Sequence, residues 1–293
     1  MNLFAGLEAI VKENEPMAPR TWFKLGGPAR YFVEPRGEQE LLEVVRRCHE
    51  NSVEMYVLGR GSNLLVADAG VSGVVIHLTN ENFGKIEIED TRVRVGAGAD
   101  LRHLLMQSAR SGLSGLECMV GIPGSVGGAV KINAGGSFGD IGNVAQSVRL
   151  LDSSGFGFVR EREDIYFGYR MTNIMAKFIL EVELMLVPDD PERIGRQIKE
   201  IWMLKRNSQP ISNRSAGCIF KNPRSLSAGA LIDKAGLKGY RIGGAYVSER
   251  HANFILADEG AKSSDVLELI EVIREKVRER YEIELELEID IWR

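Results

Sequence analysis

Two segments concentrate glycine beside small polar side chains, a combination suited to holding a phosphate-bearing ligand by its backbone. The first is Gly59-Arg60-Gly61-Ser62-Asn63-Leu64, entered directly from the apolar run Tyr56-Val57-Leu58. Its glycines let the main chain approach a ligand closely, and Ser62 and Asn63 add donors, which suits a diphosphate. Leu64 stands where the dinucleotide fingerprint needs its third glycine, and the Lys-Ser/Thr of a P-loop is missing. The second segment is Gly121-Ile122-Pro123-Gly124-Ser125-Val126-Gly127-Gly128-Ala129, followed by Asn133-Ala134-Gly135-Gly136. Small side chains there leave a surface on which a large flat ligand can lie. Taken singly, each loop also reads as a plain turn of a β-rich domain; two in one domain, without Rossmann topology, point to an extended cofactor.

Other chemistry-bearing residues are fewer. Cys48, Cys118 and Cys218 are an odd, widely spaced set without CxxC, giving neither a disulfide framework nor a zinc site and implying a reducing, cytoplasmic compartment. Cys48 and Cys118 read as small buried hydrophobes. His49, His77, His103 and His251 have no metal-binding spacing. Glu284, Glu286 and Glu288 share one face of an alternating C-terminal run, ordinarily a solvated sheet face, and spacing does not choose among them. With 37 Lys+Arg against 41 Asp+Glu the net charge is −4, which excludes a polyanion such as nucleic acid as main partner. No apolar run of membrane-spanning length occurs, and the N-terminus is not a signal peptide.

The elements that must position these residues read as α+β. A helical pattern occupies residues 1–20. From 21 to 200, strand patterns at Ala29–Pro35, Glu54–Leu58, Gly73–Leu78, Lys85–Glu89, Arg92–Val95, Ser147–Leu151 and Lys177–Val187 alternate with helices at Gln39–Glu50 and Leu101–Ser111. This stretch reads as a cofactor domain in two subdomains, split near 80–90. After Pro188-Asp189-Asp190-Pro191 comes an amphipathic helix. Residues 201–293 form a second domain with a long helix over Ser264–Tyr281 and a strand over Glu282–Trp292. Trp22 and Phe23 read as core.

In this order the segments TWFKLGGPA, LGRGSNLLV, GLECMVGIPGSVGGAVKINAGG, DIYFGYR, SAGCIFKNP, AGLKGYRIGGAYVSERHANFI and LELEIDI resemble the UDP-N-acetylenolpyruvoylglucosamine reductase (UDP-N-acetylmuramate dehydrogenase) family. The resemblance covers nearly the whole chain from residue 21. It implies an FAD-binding domain of the vanillyl-alcohol-oxidase type in two α/β subdomains, plus a C-terminal α+β substrate-binding domain. FAD would contact Gly59–Leu64, Gly121–Ser125, Gly127–Ala129 and Asn133. The implied activity is NADPH-dependent reduction of a UDP-sugar enolpyruvyl ether to UDP-N-acetylmuramate in peptidoglycan synthesis. The alternatives are a flavin oxidase or dehydrogenase of the same cofactor fold acting on an alcohol or sugar, and a nucleotide-sugar binding module without flavin.

Reducing a carbon–carbon double bond conjugated to a carboxylate requires a hydride at one carbon, stabilisation of the resulting enolate, and a proton at the other carbon. The resemblance assigns the carboxylate partner to Arg170, whose planar guanidinium matches it bidentately. It places Cys218 where most members carry the proton-donating serine, and Glu288 at the catalytic glutamate. Asn222 falls at a substrate-binding asparagine, and Lys205, Arg206 and Arg214 are candidates for the diphosphate. His251 would make a structural hydrogen bond. Departures are Ser208, where some members carry a substrate-binding lysine, Leu287 in place of proline or arginine, and Asp290 in place of arginine. The short path from Arg170 to Gln209 resembles the class lacking an inserted tyrosine loop.

Overall fold

The structure is a computed structural model that describes residues 3–211, 214–224 and 226–293. Two compact units divide the chain: Met1–Glu13, Tyr31–Arg60 and Gly73–Lys205 in one, and Asn14–Arg30, Gly61–Ser72 and Arg206–Arg293 in the other. The α+β class holds. The partition at residue 200 does not capture how the units interleave, because residues 21–30 and 61–72 belong with the C-terminal unit. The reason is non-local pairing: Leu64–Val66 runs parallel to Asp290–Trp292, with Leu64 opposite Asp290.

In the first unit, the helix Glu38–Glu50 buries Leu41, Val44, Val45 and Cys48, one stripe at helical spacing. It shares a core with Phe4, Val33, Ile76 and Phe178. The associated sheet has the order Val11–Pro16, Pro28–Val33, Val71–His77, Met55–Leu58. Met55–Leu58 runs parallel to its neighbour and delivers the chain into the first glycine loop. In the segment 1–20, expected to be helical, the described residues 3–20 instead contain two 3-10 turns around the strand Val11–Pro16. Lys12, Glu13, Asn14 and Glu15 give that segment no apolar stripe for a helix to bury.

A second, antiparallel sheet of the same unit has the order Gly157–Glu161, Ala145–Leu151, Phe178–Met185, Arg92–Gly96, Ile86–Glu89. Val93, Val95, Val148 and Val182 turn one face onto a core completed by Leu104 and Leu105 of the helix Leu101–Arg110. Each such fully buried aliphatic side chain contributes roughly 1.5–3 kcal/mol.

The second unit is built on the helix Ser263–Tyr281, which buries Val266, Leu269, Ile270, Ile273 and Val277. Asp68 fixes its start, accepting from the Ser263 N–H at 2.8 Å and the Ser264 N–H at 3.0 Å. Beside it lies the sheet Arg241–Ile242, Ala245–Val247, Ile255–Ala257. Phe23 is fully buried in this core, but Trp22 is 40% exposed, against the reading of both as core. The strand expected over Glu282–Trp292 is confined to Asp290–Trp292, with an isolated bridge between Leu287 and Phe220. Glu282 takes a left-handed conformation at φ 57° to end the helix, so no strand begins there. The alternation is nevertheless real, since Leu285 and Ile289 are buried while Glu284 and Glu286 are exposed. Among the described residues, no helix is long and apolar enough to cross a membrane.

Candidate active site

In the first unit the two glycine segments meet. A Cβ on Gly59 would lie 2.6 Å from the Ser125 Oγ, so only glycine permits the approach. Arg60 Nε lies 3.1 Å from Asp100 Oδ2. Asp100 forms a β-bridge with Ser125 and caps the helix Leu101–Arg110 by accepting from the His103 N–H at 2.8 Å. The second segment also contains a helix that sequence reading took for loop, Val126–Lys131. Ser125 starts it, its Oγ accepting from the Gly128 N–H at 3.3 Å. Glycine is a poor helix former, but here it serves packing: a Cβ on Gly127 would come within 2.7 Å of the Ala97 Cβ. Ala129 is buried against the same core, whereas Gly121 and Gly128 are exposed and Ile122, Pro123 and Gly124 half-buried. The result is a backbone-lined surface of small residues, and these residues fit an FAD.

Asn133, expected to contact the cofactor, is almost wholly buried. It is 2% exposed, sits at φ 46°, donates from Nδ2 to the Gly168 carbonyl at 2.9 Å, and accepts at Oδ1 from the Gly142 N–H at 3.0 Å. Both ends of the amide therefore hold main chain, and Asn133 clamps the hairpin that carries Arg170. In that hairpin Phe167 pairs with Thr172 and Gly168 with Met171, leaving Tyr169-Arg170 as its two-residue tip. Arg170 is left-handed at φ 54°, a conformation that costs a non-glycine residue energy and is retained where surrounding structure enforces it. Its guanidinium lies 5.5 Å from the centroid of the Tyr169 ring.

Lys205 has a different job from the diphosphate contact considered for it. Its Nζ donates to the carbonyls of Cys118 at 2.9 Å and Val120 at 2.7 Å, tethering the start of the second glycine segment. Burial, with a smaller contribution from the positive charge of Arg170, pushes its pKa down to about 8.

In the second unit, Gly61, Ser62 and Asn63 lead into the buried Leu64. Asn63 donates from Nδ2 to the Glu288 carbonyl at 3.0 Å, and its own carbonyl accepts from the Asp290 N–H at 2.9 Å. The Glu288 N–H donates to the Ile219 carbonyl at 2.8 Å, which brings the glutamate's backbone beside the segment carrying Cys218. Cys218 itself is half-buried and forms a β-bridge with Phe254. Glu286 points elsewhere, 3.6 Å from the Lys221 Nζ.

Asn253, which sequence reading passed over, secures this arrangement. Its Oδ1 accepts from the Phe220 N–H at 3.0 Å and its Nδ2 donates to the Phe220 carbonyl at 2.8 Å. The available signal was an asparagine set between Ala252 and Phe254 in an otherwise apolar run. His251 accepts from the Asn253 N–H at Nδ1, 3.3 Å away, and burial lowers its pKa by disfavouring the charged ring. Asn222 Oδ1 accepts from the Ala228 N–H at 2.9 Å, capping the helix Ala228–Lys234, and Arg214 is exposed.

Comparison with known proteins gives this arrangement its context. Residues 209–292 match the model of the UDP-N-acetylenolpyruvoylglucosamine reductase C-terminal domain, and residues 29–156 match an FAD binding domain. The UDP-N-acetylenolpyruvoylglucosamine reductase of Heliobacterium modesticaldum is 43% identical over 282 residues, covering 95% of this chain and 90% of that protein. The chain belongs to the UDP-N-acetylenolpyruvoylglucosamine reductase family. The Moorella thermoacetica reductase is 40% identical, with 99% of this chain and 96% of that one aligned. The crystal structure of UDP-N-acetylenolpyruvylglucosamine reductase from Thermus caldophilus superposes with a TM-score of 0.83 at 38% identity, covering 97% of this chain and 98% of that one. Membership in the reductase family accounts for the FAD-type glycine segments and the C-terminal unit occurring in one chain.

Proposed function

We propose that this protein is an FAD-dependent reductase that converts UDP-N-acetylglucosamine enolpyruvate to UDP-N-acetylmuramate with NADPH, in peptidoglycan synthesis. The observation that carries the reading is the near full-length match to reductases of that name, joined to an FAD binding domain in the same chain. FAD, when bound, would supply the hydride chemistry, with NADPH as its reductant. The backbone of Gly59–Leu64 and Gly121–Ala129 would hold the FAD.

The remaining chemistry falls to side chains. Arg170, held in a left-handed conformation at a hairpin tip, pairs with the substrate carboxylate and opposes the charge of the enolate. Cys218 gives a proton to the adjacent carbon; a thiol is a far stronger acid than a serine hydroxyl and can do so while protonated. Glu288 assists the enolate. Asn222 and Arg214 contact the substrate. The compartment is the cytoplasm, in keeping with three cysteines too few and too scattered for a disulfide framework.

The test is anaerobic mixing of purified protein with NADPH and then with the enolpyruvyl sugar, followed by flavin absorbance. Bleaching by NADPH and recovery on adding the sugar are expected. A protein lacking flavin absorbance, or one that an alcohol or simple sugar reduces in place of NADPH, overturns the reading.

A further inference from the structure

We propose that Asn63 is a positioning residue for Glu288, so that the first glycine segment sets the aim of the catalytic glutamate. The inference rests on the reductase reading above. Asn63 engages the terminal segment twice: its side-chain Nδ2 donates to the Glu288 carbonyl, and its main-chain carbonyl accepts from the Asp290 N–H. The backbone ladder between Leu64–Val66 and Asp290–Trp292 begins only at Asp290. The amide of Asn63 thus carries the pairing beyond the end of the ladder, to the residue that matters for chemistry.

The other side of Glu288 is held as well, since its N–H donates to the Ile219 carbonyl next to Cys218. Both polar groups of its backbone are therefore fixed, one by the segment of the proton donor and one by the cofactor segment. Upstream support is thin: residues 286–289 make an isolated bridge at Leu287, not a continuous ladder. Burial of Leu285 and Ile289 fixes which face turns inward, but it does not fix the direction of the carboxylate between them. A displacement of about 1 Å in a reacting group can cost about a hundredfold in rate, so one side-chain hydrogen bond at this point has leverage.

The experiment separates the half-reactions in Asn63→Ala and Asn63→Asp, the second keeping the shape of the side chain while removing its donor. In both, at flavin content matched to the parent's, flavin bleaching by NADPH is expected to slow less than reoxidation does. Reoxidation by the enolpyruvyl sugar should slow about tenfold or more, with its pH profile displaced from the parent's, a change that a general loosening of the fold would not confine to one half-reaction. Parent-like reoxidation, or equal slowing of both steps, overturns the inference. A parent protein that is not reoxidised by the sugar overturns the reductase reading instead. Hydrogen exchange of the Glu288 amide, measured without turnover and whether or not a variant retains flavin, stands apart from both. It should quicken in the two variants, and unchanged protection overturns the proposal.

Discussion

Asn133 and Gly168 are joined across 35 residues of chain by a 2.9 Å hydrogen bond that fixes the hairpin presenting Arg170. Because Asn133 is almost wholly buried, removing its amide strands the Gly168 carbonyl and the Gly142 N–H, at a cost of about 1–3 kcal/mol for each group left unsatisfied. Asn133→Ala is therefore expected to lower the melting temperature by several degrees and to raise KM for the enolpyruvyl sugar through a loosened Arg170. Thermal unfolding and steady-state kinetics check this. A variant with unchanged KM would detach the clamp from substrate binding.

Three glutamates alternate along the terminal segment, and the structure separates them. Glu284 and Glu286 are exposed, the latter facing Lys221, while Glu288 is half-buried with its backbone held next to the segment of Cys218. Replacing each in turn with glutamine should slow turnover severely at Glu288 alone, by about 10²-fold or more, the lower range for acid–base groups. Stopped-flow reoxidation distinguishes the three; equal rates would refute a catalytic glutamate on this segment.

Elements with strong local periodicity were legible in the sequence. The long helix expected over Ser264–Tyr281 is Ser263–Tyr281, and the one expected over Gln39–Glu50 is Glu38–Glu50, because apolar stripes at helical spacing need no distant partner to be recognised. Residues stabilised from afar were not. The helix Val126–Lys131 contains two glycines and exists by virtue of its Ser125 cap and its approach to Ala97; the strand Leu64–Val66 is defined by a partner more than 220 residues away. At the site, motifs identified Cys218 and Glu288 as residues of interest. That Asn133, Asn63 and Lys205 turn their polar ends onto main chain depends on tertiary contacts that no local pattern encodes.

Lys205 predicts a pH dependence of stability. Its pKa of about 8 in the folded protein lies below the ordinary lysine value of about 10.4 expected when unfolded. Between those values the unfolded chain binds more protons, so this group's contribution to stability is present in full above the unfolded pKa and is lost as pH falls through about 8. Urea unfolding of the parent and of Lys205→Met should show the parent gaining relative to the variant as pH rises from about 8 to about 10. Parallel pH curves would mean that the ammonium is better solvated than its two carbonyl contacts indicate.

Cys218 yields the sharpest functional prediction because its chemistry differs from that of a serine in one testable respect. A thiol donates a proton only while it holds one, and it ionises within an accessible alkaline range where a hydroxyl does not. Reoxidation by the enolpyruvyl sugar should decline as the thiol ionises in the parent, while Cys218→Ser, slower or not at neutral pH, lacks that decline. Cys218→Ala should keep NADPH bleaching and lose reoxidation. Its β-bridge to Phe254 is made by backbone, so the alanine variant retains the local pairing, and a loss of activity can be assigned to the missing proton donor. Superimposable alkaline profiles for cysteine and serine, or normal turnover of the alanine variant, would remove the thiol from the reaction and leave proton delivery to another group of the second unit.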